Sequence, residues 1–178
     1  GIIVIAIALF PILKIGGMQL FQSEFSSKEE KVLPRTKTIA AGIGVVYILL
    51  TILCSLSLFL TGMTFFDSIA HGMTILATGG FSTKDMSIGF FDSLYTEIVV
   101  MIFMVVASIP FIYLFQAMKG KFSDLIDSSQ VQFFLLLIFI STIIVSFWLK
   151  RYYEVDFLQA LRISAFATIS ISTGSGFS

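Results

Sequence analysis

The stretch Ala77-Thr-Gly-Gly-Phe-Ser82 decides the fold of this chain, and a second stretch, Thr173-Gly-Ser-Gly-Phe-Ser178, ends in the same three residues. Each follows a modestly apolar segment that contains hydroxyl side chains and is too short to cross a bilayer. The two Gly-Phe-Ser phrases are offset by 96 positions, from Gly80 to Gly176. The same offset pairs Ser68 with Ser164, Thr74 with Ser170 and Ile75 with Ile171. The sequence therefore predicts an internal repeat.

Glycine-rich loops can lie inside a membrane only under narrow conditions. In lipid every backbone N–H and C=O must be hydrogen-bonded, so a non-helical run survives only where protein buries it or where it lines a wet cavity. Glycine also adopts positive φ, which lets carbonyl groups face the axis of a pore. Such carbonyls can replace the hydration shell of a cation. We therefore interpret both stretches as loops that line an ion pathway. The alternative is a pair of re-entrant turns that only pack.

The composition is that of a membrane protein. Hydrophobic residues make up 57% of the chain and charged residues 12%, with a mean hydropathy of +0.99, whereas about a quarter of the residues of a soluble domain are charged. The formal net charge is zero, so membrane lipid is an expected partner and nucleic acid is not. The single cysteine, Cys54, lies in an apolar run and is expected to be a packing residue.

Three runs are long and apolar enough to span a bilayer: Ile39–Leu60, Tyr95–Met118 and Val131–Leu149. Pro110 interrupts the second run and predicts a kink, because proline removes a helical hydrogen bond. Shorter half-helices are predicted over Phe65–Ala77 and Asp156–Ser172, ahead of the two glycine loops. The predicted fold is an all-α polytopic membrane protein, built from tandem helix–pore-loop–helix repeats with re-entrant half-helices and extended filter strands.

The same pattern predicts the organisation of the chain. Both glycine loops must open on one face of the membrane, which places residues 23–37 and 119–127 in the cytoplasm and residues 82–92 and 150–154 outside. The basic residues of the first two segments agree, although the charge bias is weak. Because an incomplete apolar run opens the chain and no returning helix follows residue 178, we expect a fragment. The predicted parts are 1–24, the end of one repeat; 25–38, a loop; 39–118, a complete repeat; 119–130, a loop; and 131–178, the start of a third repeat.

Residues for enzyme chemistry are scarce, so we expect no catalytic residues and no cofactor. The only histidine, His71, falls within the first half-helix and lacks partners in the sequence for metal binding or general-base catalysis. Glu97, near the start of its span, is expected at the interface or at the helix N-terminus. Asp67 and Asp156 are expected to cap the half-helices. A non-conducting membrane protein or an intramembrane enzyme with packing loops stays open as the alternative.

Residues 66–93 resemble the second pore repeat of the TrkH-type subunits in the Trk/Ktr/HKT superfamily of potassium transporters. The stretch Pro11-Ile-Leu-Lys-Ile-Gly-Gly-Met-Gln-Leu-Phe-Gln-Ser-Glu24 resembles the end of the first repeat of that family, and residues 160–178 resemble its third pore helix and filter. The resemblance covers essentially the whole chain, which corresponds to the middle of a family member.

The resemblance implies a potassium uptake pore in which four repeats of one polypeptide surround a pseudo-fourfold axis. The transported ion is then K⁺, possibly with Na⁺, and the location is the bacterial inner membrane. It also implies a homodimer with a cytoplasmic nucleotide-binding regulator of TrkA type. The filter residues implied for this chain are Thr78, Gly79, Gly80, Phe81, Thr173, Gly174, Ser175 and Gly176.

Overall fold

The computed structural model describes residues 32–153 and 155–178, with side chains from residue 41 onward. Within these ranges all regular structure is helical and no β-strand occurs. The chain divides into two units, residues 1–48 and 49–178. The described part of the first unit, residues 32–48, is entirely helical. The predicted parts 1–24 and 25–31 fall outside the described residues.

Seven α-helices and one 3-10 helix form the described part of the chain. The 3-10 helix, Ser87–Phe91, lies between α2 and α3. The α-helices are α1, Val32–Leu60; α2, Phe65–Leu76; α3, Leu94–Ser108; α4, Phe111–Met118; α5, Phe122–Ile126; α6, Ser129–Tyr153; and α7, Phe157–Ser172.

Two of these helices are long and apolar enough to cross a membrane: α1, over Ala41–Leu60, and α6. Both expose many of their large apolar side chains, as expected for helices in contact with lipid. Each agrees with a run predicted from hydropathy, because 20 apolar residues in a row have few other uses. The chain is a multi-pass membrane protein.

The third predicted span is two helices rather than one. Helix α3 ends at Ser108, α4 begins at Phe111, and their axes differ by 98°. Pro110 has no N–H to donate and also disfavours helical geometry in the residue before it. Ile109 accordingly adopts an extended conformation, with φ −73° and ψ 135°. The kink predicted at Pro110 is therefore a full break.

Helices α2 and α7 are the predicted half-helices, and both pack on longer neighbours. Helix α7 packs on α6 and α3, and a hydrogen bond of 2.7 Å joins the buried Thr142 and Thr168 hydroxyls between α6 and α7. Helix α2 lies against α1 at Gly72, where an added Cβ would overlap Oγ of Ser55. Small residues allow this close approach between helix backbones in membranes.

Gly72→Ala is expected to destabilise the packing of α2 on α1. The new Cβ would overlap Ser55 Oγ and lie 3.1 Å from the Ser55 amide nitrogen, and overpacking of this kind costs about 1–3 kcal/mol. Thermal unfolding in detergent measures the loss. Addition of Ser55→Ala should recover part of it by removing the overlapping hydroxyl. Gly44→Ala, whose Cβ would meet nothing within 4 Å, is the control; equal destabilisation by both glycine variants contradicts the packing argument.

Candidate functional site

The two glycine loops leave their half-helices in the same way. Helix α2 ends in Ala77, whose N–H donates to the Met73 carbonyl at 3.0 Å, and α7 ends in Thr173, whose N–H donates to the Ile169 carbonyl at 2.9 Å. The next residue turns into the left-handed region in both loops, Thr78 with φ 50° and Gly174 with φ 72°. The offset of 96 residues therefore relates these backbone conformations as well as the sequence.

A hydroxyl group holds the aromatic residue of each loop at its carbonyl. Thr74 donates from Oγ1 to the Phe81 carbonyl at 3.0 Å, and Ser170 donates from Oγ to the Phe177 carbonyl at 2.7 Å. These two bonds are also related by the offset of 96. Hydroxyl side chains near the end of each half-helix thus fold the following loop back over the helix.

Glycines of both loops have backbone angles that other residues rarely adopt. Gly80 has φ 69° and Gly176 has φ 74°. With Thr78 and Gly174, positive φ recurs at every second residue of each loop. Thr78 lacks the freedom of glycine, and a non-glycine residue in this region stores about 1–3 kcal/mol of strain. The loops are therefore held by their surroundings in a specific, unfavourable backbone shape.

The two loops touch each other. A Cβ on Gly80 would overlap the Ser175 carbonyl oxygen, so only glycine allows this approach. Further along, the Ile88 N–H donates to the Ser178 carbonyl at 3.1 Å, and the Ser178 N–H donates to Oγ of Ser87 at 3.3 Å. Segments almost a hundred residues apart in sequence thus form one site.

Asp67 ties the segment after the first loop to the start of α2. Its carboxylate accepts hydrogen bonds from the hydroxyls of Thr83 and Thr64 and forms an ion pair with Lys84 at 3.3 Å. The Thr83 hydroxyl, together with that of Thr64 and the Lys84 ammonium, holds the pKa of Asp67 below its ordinary value. Asp67 is buried, and its charge is therefore kept by these partners.

The predicted helix caps differ from those observed. Thr64 caps α2, since its Oγ1 accepts the Asp67 N–H at 3.2 Å. Asp67 lies inside the first turn and bonds to the returning loop instead. Asp156 does occupy the N-cap of α7, but its side chain accepts no capping hydrogen bond. The interpretation of both aspartates as ordinary caps was therefore wrong in its detail.

His71 lies one turn after Asp67, is fully buried, and bonds at both ring nitrogens. Nδ1 is 2.7 Å from the Asp67 carbonyl oxygen and Nε2 is 2.9 Å from Ser82 Oγ. The ring meets Phe91 edge to face at 5.5 Å and lies 6.4 Å from the Phe177 ring. His71 thus contacts both glycine loops.

A bidentate ion pair joins α3 to α7 beside the second loop. Arg162 donates from Nε and Nη2 to the two carboxylate oxygens of Glu97, both at 2.7 Å. The pair borders a cavity of about 660 Å³ whose lining also includes Ser170, Gly176 and Phe177. Glu97 was expected at the membrane interface or at its own helix N-terminus, and it binds a cation of another helix instead.

The chemistry available to a cation here comes from oxygen atoms without charge. Among residues 41–153 and 155–178 no cluster of three or more histidine, cysteine, aspartate or glutamate side chains could hold a metal ion. The loops instead offer backbone carbonyls and hydroxyls, which suit weakly bound, hydrated alkali cations.

Comparison with known proteins assigns the family. The sequence model of the TrkH family, described as a cation transport protein, matches residues 1–148. The chain belongs to the TrkH family. Cation transport proteins are not enzymes, so membership also argues against the enzyme alternative.

Relatives of known name support this assignment. The Trk system potassium uptake protein TrkH of Halomonas elongata is 36% identical over 185 residues, which cover 100% of this chain and 38% of that protein. TrkH of Escherichia coli K12 is 34% identical over 186 residues, covering 99% and 38%. The crystal structure of the potassium transporter TrkH from Vibrio parahaemolyticus matches with a TM-score of 0.76 and 29% identity, covering 96% of this chain and 34% of that one. The chain thus spans under two fifths of the length of these relatives.

The residues that the TrkH resemblance implied as a filter are brought together in part. Gly80 meets Ser175, and Gly176 follows directly. Gly79 and Gly174 are exposed on the loop surfaces. The two aromatic residues differ, because Phe81 is 78% exposed whereas Phe177 is 4% exposed. Thr78 and Thr173 lie between these extremes.

Sequence reasoning missed His71 as a neighbour of the loops, and it missed the ion pair of Glu97 with Arg162. The loops were expected to have no acid or base beside them, yet Ser82 bonds to His71. A serine 11 residues after a histidine has no periodic relation to it within one helix. A carboxylate in the first turn of a TrkH span and an arginine within a half-helix were the available signals.

Proposed function

We propose that this chain is the middle part of a Trk-type potassium uptake protein and supplies two of the filter segments of its pore. The observation that carries the proposal is the meeting of two loops with matching backbone shape at Gly80 and Ser175. Relatives named as potassium uptake proteins cover the whole chain, which supports K⁺ as the transported ion.

The filter residues that we propose are Thr78, Gly79, Gly80, Phe81, Thr173, Gly174, Ser175 and Gly176. Positive φ at alternate residues turns successive carbonyls towards one side, whereas they alternate in a strand. The C-terminal ends of α2 and α7 both precede these loops, and the negative end of a helix dipole favours a cation nearby. Cation binding by carbonyls at such helix ends needs no carboxylate.

The assembly around the pore follows from the same proposal. Two segments leave a filter ring open on its other sides, so further repeats of the whole protein complete it. Residues 39–118 form one repeat and residues 131–178 begin the next, with residues 82–92 facing outward. We propose a homodimer in the bacterial inner membrane, regulated by a cytoplasmic nucleotide-binding subunit of TrkA type.

One contact favours the enzyme alternative, since Ser82 and His71 form a hydroxyl–imidazole pair like that of a serine hydrolase. Two features oppose it. The ring is oriented by a backbone carbonyl of Asp67 rather than by its carboxylate, and His71 is fully buried. The 660 Å³ cavity is lined by neither Ser82 nor His71. A substrate therefore has no described route to the pair.

Rubidium uptake tests the proposed function. The whole protein that carries this sequence is expressed in cells that lack their own potassium uptake systems, and ⁸⁶Rb⁺ entry is measured at low external K⁺. We expect saturable uptake and growth on low K⁺. Cells that carry the empty vector are the control. Membrane-inserted protein that neither restores growth nor takes up Rb⁺ would contradict the proposal.

A further inference from the structure

We propose that His71 is a positioning residue that sets the spacing between the two filter loops. The proposal rests on the proposed function, because it assigns a role in ion discrimination to a residue outside the filter itself. Its basis is the placement of one buried ring between Ser82, at the end of the first loop, and Phe177, in the second.

The hydrogen bonds of His71 determine which nitrogen carries the proton in the neutral ring. The Asp67 carbonyl can only accept, so Nδ1 must donate to it. Nε2 then accepts from the Ser82 hydroxyl, and Ser82 Oγ in turn accepts the N–H of Lys84 at 3.1 Å. Every polar atom in this chain of contacts has a partner. The end of the first loop is thereby fixed to the half-helix behind it.

The flat side of the same ring faces the second loop. The His71 and Phe177 rings are inclined by 30° with centroids 6.4 Å apart. The Phe177 carbonyl accepts from Ser170, so the ring and the backbone of this residue are held from both sides. Any movement of the His71 ring therefore changes the space available to Phe177 and to Gly176 before it.

This linkage is specific to one of the two repeats. The offset of 96 residues places Ile163 and Ala167 at the positions of Asp67 and His71. Neither can form the hydrogen bonds described above. The first half-helix thus holds its own loop and the following one, and loss of His71 should affect both.

Two substitutions separate the cross-loop bond from simple packing. The amide of asparagine reaches the place of Nδ1, so His71→Asn keeps a donor for the Asp67 carbonyl and loses Ser82. The longer glutamine places its amide near Nε2, so His71→Gln keeps an acceptor for Ser82. Ser82→Ala removes the same bond from the other side without changing the helix.

The experiment measures the preference of uptake for Rb⁺ over Na⁺ in the whole protein, at matched amounts in the membrane. His71→Asn and Ser82→Ala should each reduce the preference by about threefold to tenfold, the effect of one buried hydrogen bond. The double variant should fall no further than either single one, because both remove one interaction. His71→Gln should retain more of the preference than His71→Asn. Ser57→Ala, which removes a hydroxyl bonded within α1, is the control.

The outcomes distinguish this proposal from the proposed function. Absence of Rb⁺ uptake by the unsubstituted protein overturns both. An unchanged preference in His71→Asn and Ser82→Ala overturns the role of His71 alone, and so does an equal loss in the asparagine and glutamine variants. If His71→Asn does not reach the membrane, Ser82→Ala decides the result by itself.

Discussion

Gly80→Ala is expected to reduce potassium uptake by more than about thirtyfold, from left-handed strain of about 1–3 kcal/mol and overpacking of similar size. The added Cβ would overlap the Ser175 carbonyl oxygen and lie 2.9 Å from its carbonyl carbon. Gly80 also has φ 69°, a conformation that alanine adopts only with strain. Relief of the overlap requires the two loops to separate, which displaces a carbonyl proposed to contact the ion. Uptake of ⁸⁶Rb⁺, normalised to the protein in the membrane, measures the effect.

Two other glycines separate strain from overlap. Gly176 has φ 74° but its Cβ would meet nothing within 4 Å, so Gly176→Ala should reduce uptake by less than about tenfold. Gly120 has φ 84° and open space, between α4 and α5 and outside both loops. Gly120→Ala should leave the ion preference unchanged. Equal uptake in the Gly80 and Gly120 variants would show that contact between the loops has no part in conduction.

Reversal of one charge at the α3–α7 ion pair is the second large effect that we expect. Arg162→Glu would place a carboxylate beside that of Glu97, whose oxygens now receive two hydrogen bonds of 2.7 Å. Because 39% of the Arg162 side chain is exposed, the loss should be smaller than for a buried pair, about 2–3 kcal/mol of unfolding free energy. Thermal unfolding in detergent measures it.

The exchanged pair provides the matched control. Glu97→Arg combined with Arg162→Glu restores opposite charges in reversed order, and we expect recovery of about half of the loss, since the shorter carboxylate and the longer guanidinium change places. A double variant that is no more stable than Arg162→Glu would mean that the side chains act by packing and not by charge.

The sequence predicted the helices well where a single physical requirement dominates. A long apolar run has to span the membrane, and α1 and α6 lie where hydropathy placed them. The half-helices were predicted to within one residue, Phe65–Leu76 against Phe65–Ala77. The angle at Pro110 was not predictable, because proline removes a hydrogen bond but neighbouring helices determine how far the chain then turns.

Within the candidate site, local patterns were informative and long-range contacts were not. Glycine at positions 80 and 176 indicated special backbone angles, and both have positive φ. Thr78 also has positive φ, which no property of threonine indicates. The partners of His71 and Glu97 lie 11 and 65 residues away. Such pairs depend on how the helices pack, and one sequence carries no periodic signal for that packing.

The unequal surroundings of the two loops have a genetic consequence. In a ring of identical subunits every codon change appears at all positions of the ring at once. Here His71 and Ala167 occupy equivalent places but are encoded separately, so a mutation alters one side of the proposed pathway and leaves the other intact. Selection can therefore adjust ion discrimination in graded steps, through heritable changes that a symmetric ring would experience only in full dose.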